Sequence, residues 1–219
     1  MHAAPALRGG PAARGAWLVF GLLLCAVGIL CFLQSRLGLP PWDVLHQGIA
    51  KHTPLSFGLA NVAVALVVLV IAWLLGAQPG IGTIANALLI GVMVALLEPL
   101  HAVHALGSEP LAVRIGLLAV GLAAFGVGSA FYIGAGLGAG ARDSLMLILT
   151  RRTGRRIGVV RTMLESTALV AGFALGGHVG IGTLVFAGLV GPSVESAFAL
   201  SIRSGLAIST AGNDEHRHR

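Results

Sequence analysis

Gly80-Ile81-Gly82-Thr83 and Gly180-Ile181-Gly182-Thr183 are the same four-residue string, one hundred positions apart. Sliding the chain against itself by that offset, without a gap, aligns much more. Arg14 falls on Arg114, Gly21 on Gly121, Gly28 on Gly128, Leu37-Gly38 on Leu137-Gly138 and Asp43 on Asp143. Thr53 falls on Thr153, Gly58 on Gly158, Gly76 on Gly176 and Gly91 on Gly191. From Arg14 to Glu98 there are 24 identities in 85 aligned positions. Shared apolar composition would match Leu with Leu, but it does not supply matched Asp, matched Thr and an unbroken string. The chain reads as a duplicated unit.

Each unit holds three apolar segments, 16–35, 57–76 and 83–100 in the first, 114–134, 157–176 and 183–202 in the second. At about 1.5 Å per helical residue each reaches about 27–30 Å, enough to cross a bilayer core. The 219 residues are 56 % hydrophobic and 10 % charged, with a mean hydropathy of +0.92. That is too little polar surface for a soluble domain. The expected fold is an all-α membrane protein with six transmembrane helices. Because three spans is an odd number, the second unit enters the membrane from the opposite side, giving two inverted-topology three-helix repeats. Between the first and second spans, Pro-Trp-Asp-Val-Leu-His-Gln-Gly-Ile-Ala-Lys-His (41–52) is too short to span. It predicts a short interfacial or re-entrant helix after the first span of each unit.

The organisation that follows is a basic tail at 1–13, the first repeat at 14–100, an outer linker at 101–113, the second repeat at 114–204 and a disordered tail at 205–219. Fourteen basic and eight acidic residues give a net charge of +6. In a soluble protein that would suggest nucleic acid. Here Arg8, Arg14, Arg142, Arg151, Arg152, Arg155, Arg156, Arg161, Arg203, Arg217 and Arg219 gather on one side of the expected topology, against Arg36, Lys51 and Arg114 on the other. By the positive-inside rule both termini lie in the cytoplasm of a bacterial inner membrane, and no nucleic-acid partner is implied. Trp17, Trp73 and Tyr132, near span ends, read as an interfacial aromatic belt. Cys25 and Cys31 share one apolar segment and read as buried small residues, with no disulfide or metal implied.

Asp43 and Asp143 each follow a Gly- or Pro-rich break and fall in the first turn of a short helix. A carboxylate there accepts orphan backbone N–H groups and complements the positive helix end. The functional alternative makes them gate or substrate contacts, Asp43 on the outer side and Asp143 on the inner, with Trp42 and Arg142 making the two gates chemically unequal. Gly80, Gly82, Gly180 and Gly182 permit tight reversals, and Thr83 and Thr183 are placed to cap the next helix. Gly134, Gly138, Gly136, Gly140, Gly172 and Gly176 have the small-residue spacing that lets helices approach closely in lipid.

Ionisable residues inside spans are functional suspects because hydrocarbon solvates them poorly. Glu165 and Glu195 lie at similar depth from the arginine-rich side, and Arg161 is one turn from Glu165. Their partners at the offset are Ala65, Ala95 and Asn61, so this charge belongs to the second repeat alone. Pro192 is expected to bend or break the helix beside Glu195. Glu98, His101 and His104 have helical spacing at an outer span end, but Pro99 interrupts them and a solvated loop is the better reading. No nucleophile motif, phosphate loop or cofactor fingerprint occurs, so neither an enzyme nor a cofactor or metal site is expected.

Leu-Pro-Pro-Trp-Asp-Val-Leu-His-Gln-Gly-Ile (39–49), the two Gly-Ile-Gly-Thr turns and Gly-Leu-Gly-Ala-Gly-Ala-Arg-Asp-Ser-Leu (136–145) resemble the YczE/YyaS/YitT-type bacterial membrane proteins, the YczE-like members most closely. The likeness runs over about residues 14 to 202. It implies a multi-span bacterial membrane protein and leaves the substrate open. Where relatives carry Gly-Pro-Gly-Pro-Arg-Asp, this chain has Gly-Ala-Gly-Ala-Arg-Asp, which loosens that turn.

The architecture predicts a small secondary transporter or permease of an unidentified small molecule or ion, in the lipid bilayer and compatible with a homo-oligomer. The alternative is a non-transporting scaffold or regulator of an envelope or export process. Transport predicts a polar cavity reaching Asp143, Glu165 or Glu195; a scaffold predicts a dry, packed core.

Overall fold

The computed structural model describes residues 2–100 and 106–209. Its elements are a two-residue strand β1 (Ala6–Leu7), then α1 (Pro11–Ser35), α2 (Pro41–His52), α3 (Phe57–Leu74) and α4 (Ile81–Leu97). After a 3-10 turn at Leu106–Ser108 come α5 (Leu111–Gly134), α6 (Ala141–Thr153), α7 (Ile157–Ala174), α8 (Ile181–Arg203) and strand β2 (Ala207–Ile208). The described residues are helical in substance, and among them five helices (α1, α3, α5, α7 and α8) are long and apolar enough to cross a membrane. The sixth apolar helix, α4, has 17 residues and stops at Leu97, short of the expected span end at 100.

Local chemistry explains the boundaries. Pro11 and Pro41 open α1 and α2, where a missing N–H costs nothing. Ser56 caps α3 by accepting from Leu59 N at 3.3 Å. Helix α1 ends on Arg36 in the left-handed region (φ 50°), and one hundred residues on Gly136 takes the same turn at φ 66°.

The contacts of the two halves come in pairs. Arg14 donates to Ala135 O (2.7 Å) and Gly136 O (2.6 Å) at the end of α5, and Arg114 donates to Ser35 O (2.7 Å) and Arg36 O (2.9 Å) at the end of α1. Each arginine so fills orphan carbonyls at a helix C-terminus. Helices α1 and α5 run antiparallel, with Gly21 against Gly128 and Gly28 against Gly121. A Cβ built at Gly28 would sit 2.8 Å from Gly121 O, so only glycine allows this approach. Gly82 N donates to Leu137 O at 2.7 Å, and Gly182 N donates to Leu37 O at 2.9 Å.

These contacts sort the helix ends. Helix α2 runs beside α7, from Trp42 at Glu165 (3.1 Å) to Lys51 at Gly176 O (2.5 Å). Helix α6 runs beside α3, from Arg142 at Asn61 (3.4 Å) to Arg152 at Leu75 O (2.7 Å). The two short helices therefore start near one another and run toward opposite ends of the molecule. Arg8, Arg14, Arg151, Arg152, Arg155, Arg156 and Arg203 lie at one end, and Arg36, Lys51 and Arg114 at the other.

Several expectations are corrected. Thr83 and Thr183 sit three residues inside their helices, whose N-caps are Gly80 and Gly180; each hydroxyl accepts from its own N-cap N–H at 3.1 Å. Helix α8 runs unbroken through Pro192. Tyr132 is buried against α1 instead of lying in an aromatic belt. Ala207–Ile208, assigned to a disordered tail, pair antiparallel with Ala6–Leu7. His101, His104 and residues 210–219 lie outside the described residues.

Candidate functional site

The N-terminal turns of α2 and α6 meet in the interior. The Arg142 guanidinium lies over the Trp42 ring, 4.8 Å from its centroid, and Trp42 and Arg142 are equivalent residues at the hundred-position offset. Such a contact is an attraction between a cation and the negative face of the ring. Arg142 also donates to Asn61 Oδ1 at 3.4 Å.

Beside this stack lies a buried charge chain. Arg161, only 3 % exposed, donates to the Asp143 carboxylate from Nη1. Its Nε lies 3.0 Å from Glu165 Oε1, one turn along α7, close enough for charge attraction but not aligned as a hydrogen bond. Trp42 Nε1 donates to the same Oε1 at 3.1 Å, and Glu165 is fully buried. Glu165 Oε2 has no hydrogen-bond partner among the described residues. Asp143 and Glu165 thus flank Arg161, while Arg142 lies within electrostatic reach of Glu165 and Asp43. These charges compensate one another, and removing Arg161 would strand two buried carboxylates.

The geometry rearranges the expected site. Asp43 and Asp143 do not guard two separated mouths, because their helices start at one shared contact. Neither carboxylate caps its helix with a side-chain hydrogen bond. Asp43 stays 27 % exposed at its side chain and lies 3.3 Å from Nδ1 of the buried His46. Glu195 does not join Arg161 and Glu165. It binds Arg156 at 2.9 Å and accepts from Gly158 N at 3.1 Å, at the start of α7. Arg161, counted with the charged face in the sequence, is buried, and Arg142 is half-buried beside the exposed Asn61.

A family model described as "Family of unknown function (DUF6198)" matches residues 12–198, from α1 to within α8 and through every residue of this cluster. The chain belongs to that family. It is 35 % identical over 185 residues to the "Uncharacterized membrane protein YczE" of Bacillus subtilis, covering 84 % of each chain. It is 35 % identical over 182 residues to an "Uncharacterized protein" of Haemophilus influenzae, covering 81 % of this chain and 80 % of that one. The "Uncharacterized protein YyaS" of Bacillus subtilis is 29 % identical over 197 residues, 84 % of this chain and 96 % of that one. No solved structure matches it. The YczE-like resemblance is therefore sound, and the relative named a membrane protein, together with the long apolar helices, supports a multi-pass membrane protein.

In this DUF6198 chain two surface hollows lie away from the cluster. One, about 380 Å³ and open, is lined by Arg156, Glu195, Ser196 and Ala199. The other, about 110 Å³, lies among Val27, Leu30, Cys31, Gln34, Leu97 and Leu106. The hollow at Glu195 opens on the surface, and neither hollow touches Asp143 or Glu165. Trp42, Asn61 and His46 were missed as central residues. Trp42 and Asn61 stand at the offset from Arg142 and Arg161, so a search for matched identities passes over both.

Proposed function

We propose that this DUF6198 chain is a small secondary transporter or permease of the bacterial inner membrane, built as six spans in two inverted three-helix repeats. The single observation that carries the reading is the meeting of two oppositely directed short helices on the Trp42–Arg142 contact, beside the buried Asp143, Arg161 and Glu165. Membrane transporters use half-helices in this way, with helix ends and displaced backbone facing a site at mid-depth. The antiparallel α1–α5 crossing and the exchanged arginine caps support inversion. A re-entrant placement of α2 and α6 is supported by their runs along α7 and α3. The arginine-rich end is the cytoplasmic one in this reading, which puts both termini inside. A stable carrier of nonpolar helices alone would not need compensated charges at this depth, since each costs a few kcal/mol or about that in hydrocarbon.

A second reading has a specific observation in its favour. Glu165 is tied to Arg161 and Trp42 in a closed arrangement, as a packing device would be. That favours a non-transporting scaffold or regulator of an envelope process.

Purified protein in liposomes containing a pH-sensitive dye separates the two. Gradients of small organic acids, amino acids, amines and sugars are applied in turn, with and without a pH difference. Transport predicts a solute-dependent signal above protein-free vesicles that Glu165→Gln abolishes. A panel without any signal favours the scaffold, and a signal unchanged in E165Q keeps transport but takes Glu165 out of it.

A further inference from the structure

Equivalent helix pairs in the two repeats differ in this structure. Helix α8 lies along α7, whereas α4 makes no comparable run along α3. The difference is sharpest at matched glycines. A Cβ built at Gly158 would lie 3.1 Å from Gly191 O, and one at Gly191 would lie 3.0 Å from the Gly158 carbonyl carbon. At the offset positions, Gly58 and Gly91, an added Cβ would meet nothing within 4 Å. Helix α4 buries only Gly82 and Thr83, at its start.

The sequence supplies a cause. The α7–α8 contact is fastened by Glu195, which binds Arg156 at 2.9 Å and Gly158 N at 3.1 Å. One hundred residues earlier these positions are Ala95, Ser56 and Gly58, and no charge pair can fasten α3 to α4. The gap also leads somewhere. Asn61, exposed and one turn along α3 from Gly58, binds Arg142. From α4, Asn86 reaches the start of α6, where a Cβ at Gly140 would lie 2.8 Å from its Cγ. Polar groups therefore run from the gap to the Trp42–Arg142 contact.

We propose that the α3–α4 gap is an open gate to the central cluster, and that it closes by bringing Gly58 against Gly91 as Gly158 now meets Gly191, while the α7–α8 contact opens. Each repeat would then take the conformation the other now holds, so access to the cluster passes from one end of the molecule to the other. The proposal rests on the transporter reading and gives it two named gates. The closed gate carries the Arg156–Glu195 lock, and the open one has none.

Double electron–electron resonance on full-length protein in nanodiscs tests it. Spin labels are placed by L59C and V92C, two exposed positions on α3 and α4, with Cys25 and Cys31 replaced by Ala. Two distances are expected, one as in this structure and one several ångströms shorter. Arg156→Ala, at a side chain 65 % exposed and so safe for folding, loosens the opposite gate. It should raise the ratio of short to long by about two- to five-fold, the scale of one partly exposed ion pair. Glu195→Gln should act in the same direction. A single long distance that neither variant changes overturns the proposal. So does a short component that disappears on dilution with unlabelled protein, because a second copy would then fill the gap. Exchange between two distances without flux of any solute retires the transport reading and leaves the gate standing; flux without exchange retires the gate alone.

Discussion

Trp42 and Arg142 stand one hundred residues apart in the sequence and 4.8 Å apart, ring to guanidinium, in the fold. In the proposed inverted-repeat arrangement, residues at equivalent positions can touch only near the axis that would relate the two halves. The contact therefore marks the middle of the molecule, and Asp143, Arg161 and Glu165 are gathered beside it. Because one partner is aromatic and the other cationic, the repeats are unequal where they meet.

The indole of Trp42 has two roles, stacking on Arg142 and donating to Glu165. Trp42→Phe keeps the first and removes the second. It should cost about 1.5–3 kcal/mol, the range for a hydrogen bond to a charged group. In a double-mutant cycle with Glu165→Gln, thermal unfolding in detergent should give a coupling energy well above zero. Strictly additive effects would mean that Nε1–H and the carboxylate do not interact.

Arg161 holds two buried carboxylates at once. Replacing it with Met leaves both without their cation, at a cost of about 3–5 kcal/mol. Replacing Glu165 with Gln leaves the Asp143 partner in place and should cost less. Monodispersity after heating, followed by size-exclusion chromatography, should rank R161M well below E165Q and wild type. Equal ranks would show that the chain of charges does not hold the helices together.

Glycine is required at the α1–α5 crossing but not at every position of these helices. At Gly128 an added Cβ would sit 2.6 Å from Gly21 O and 2.7 Å from Cys25 N, while at Gly116 on the same helix it would meet nothing within 4 Å. Gly128→Val should destabilise by about 1–3 kcal/mol through overpacking, and Gly116→Ala should be neutral or better. Unfolding midpoints of the two variants check this directly. If G128V matched wild type, the close crossing would be wrong.

Much of this was legible in the sequence, because glycine at close approaches and arginine at helix ends must be repeated if the contact is repeated. Arg14 with Arg114, and Gly21 and Gly28 with Gly121 and Gly128, are matched in both sequence and contact. The central site was only half legible. Glu165 and Arg161 stood out as charges in apolar segments, but a tryptophan in a short semi-polar helix looks the same whether it lies in an interface or meets a buried carboxylate. Glu195 was misgrouped for a related reason: depth along a helix says how far in a residue sits and not which neighbour it faces. Pro192 broke nothing, because the helix continues to either side of one missing N–H. The unequal packing of α3–α4 and α7–α8 could not be read from Gly58 and Gly91, which are identical to their partners; only the change from Ser56 and Ala95 to Arg156 and Glu195 carries it.

The central claim is that the two repeats face opposite ways across the membrane, with Lys51 at the end of one short helix and Arg152 at the end of the other. Both side chains are exposed, so K51C and R152C can be read with a membrane-impermeant maleimide on intact cells, in a background with Cys25 and Cys31 replaced by Ala. The account predicts that K51C labels from outside, and that R152C labels only after the membrane is permeabilised. Labelling of both from the same side would contradict it.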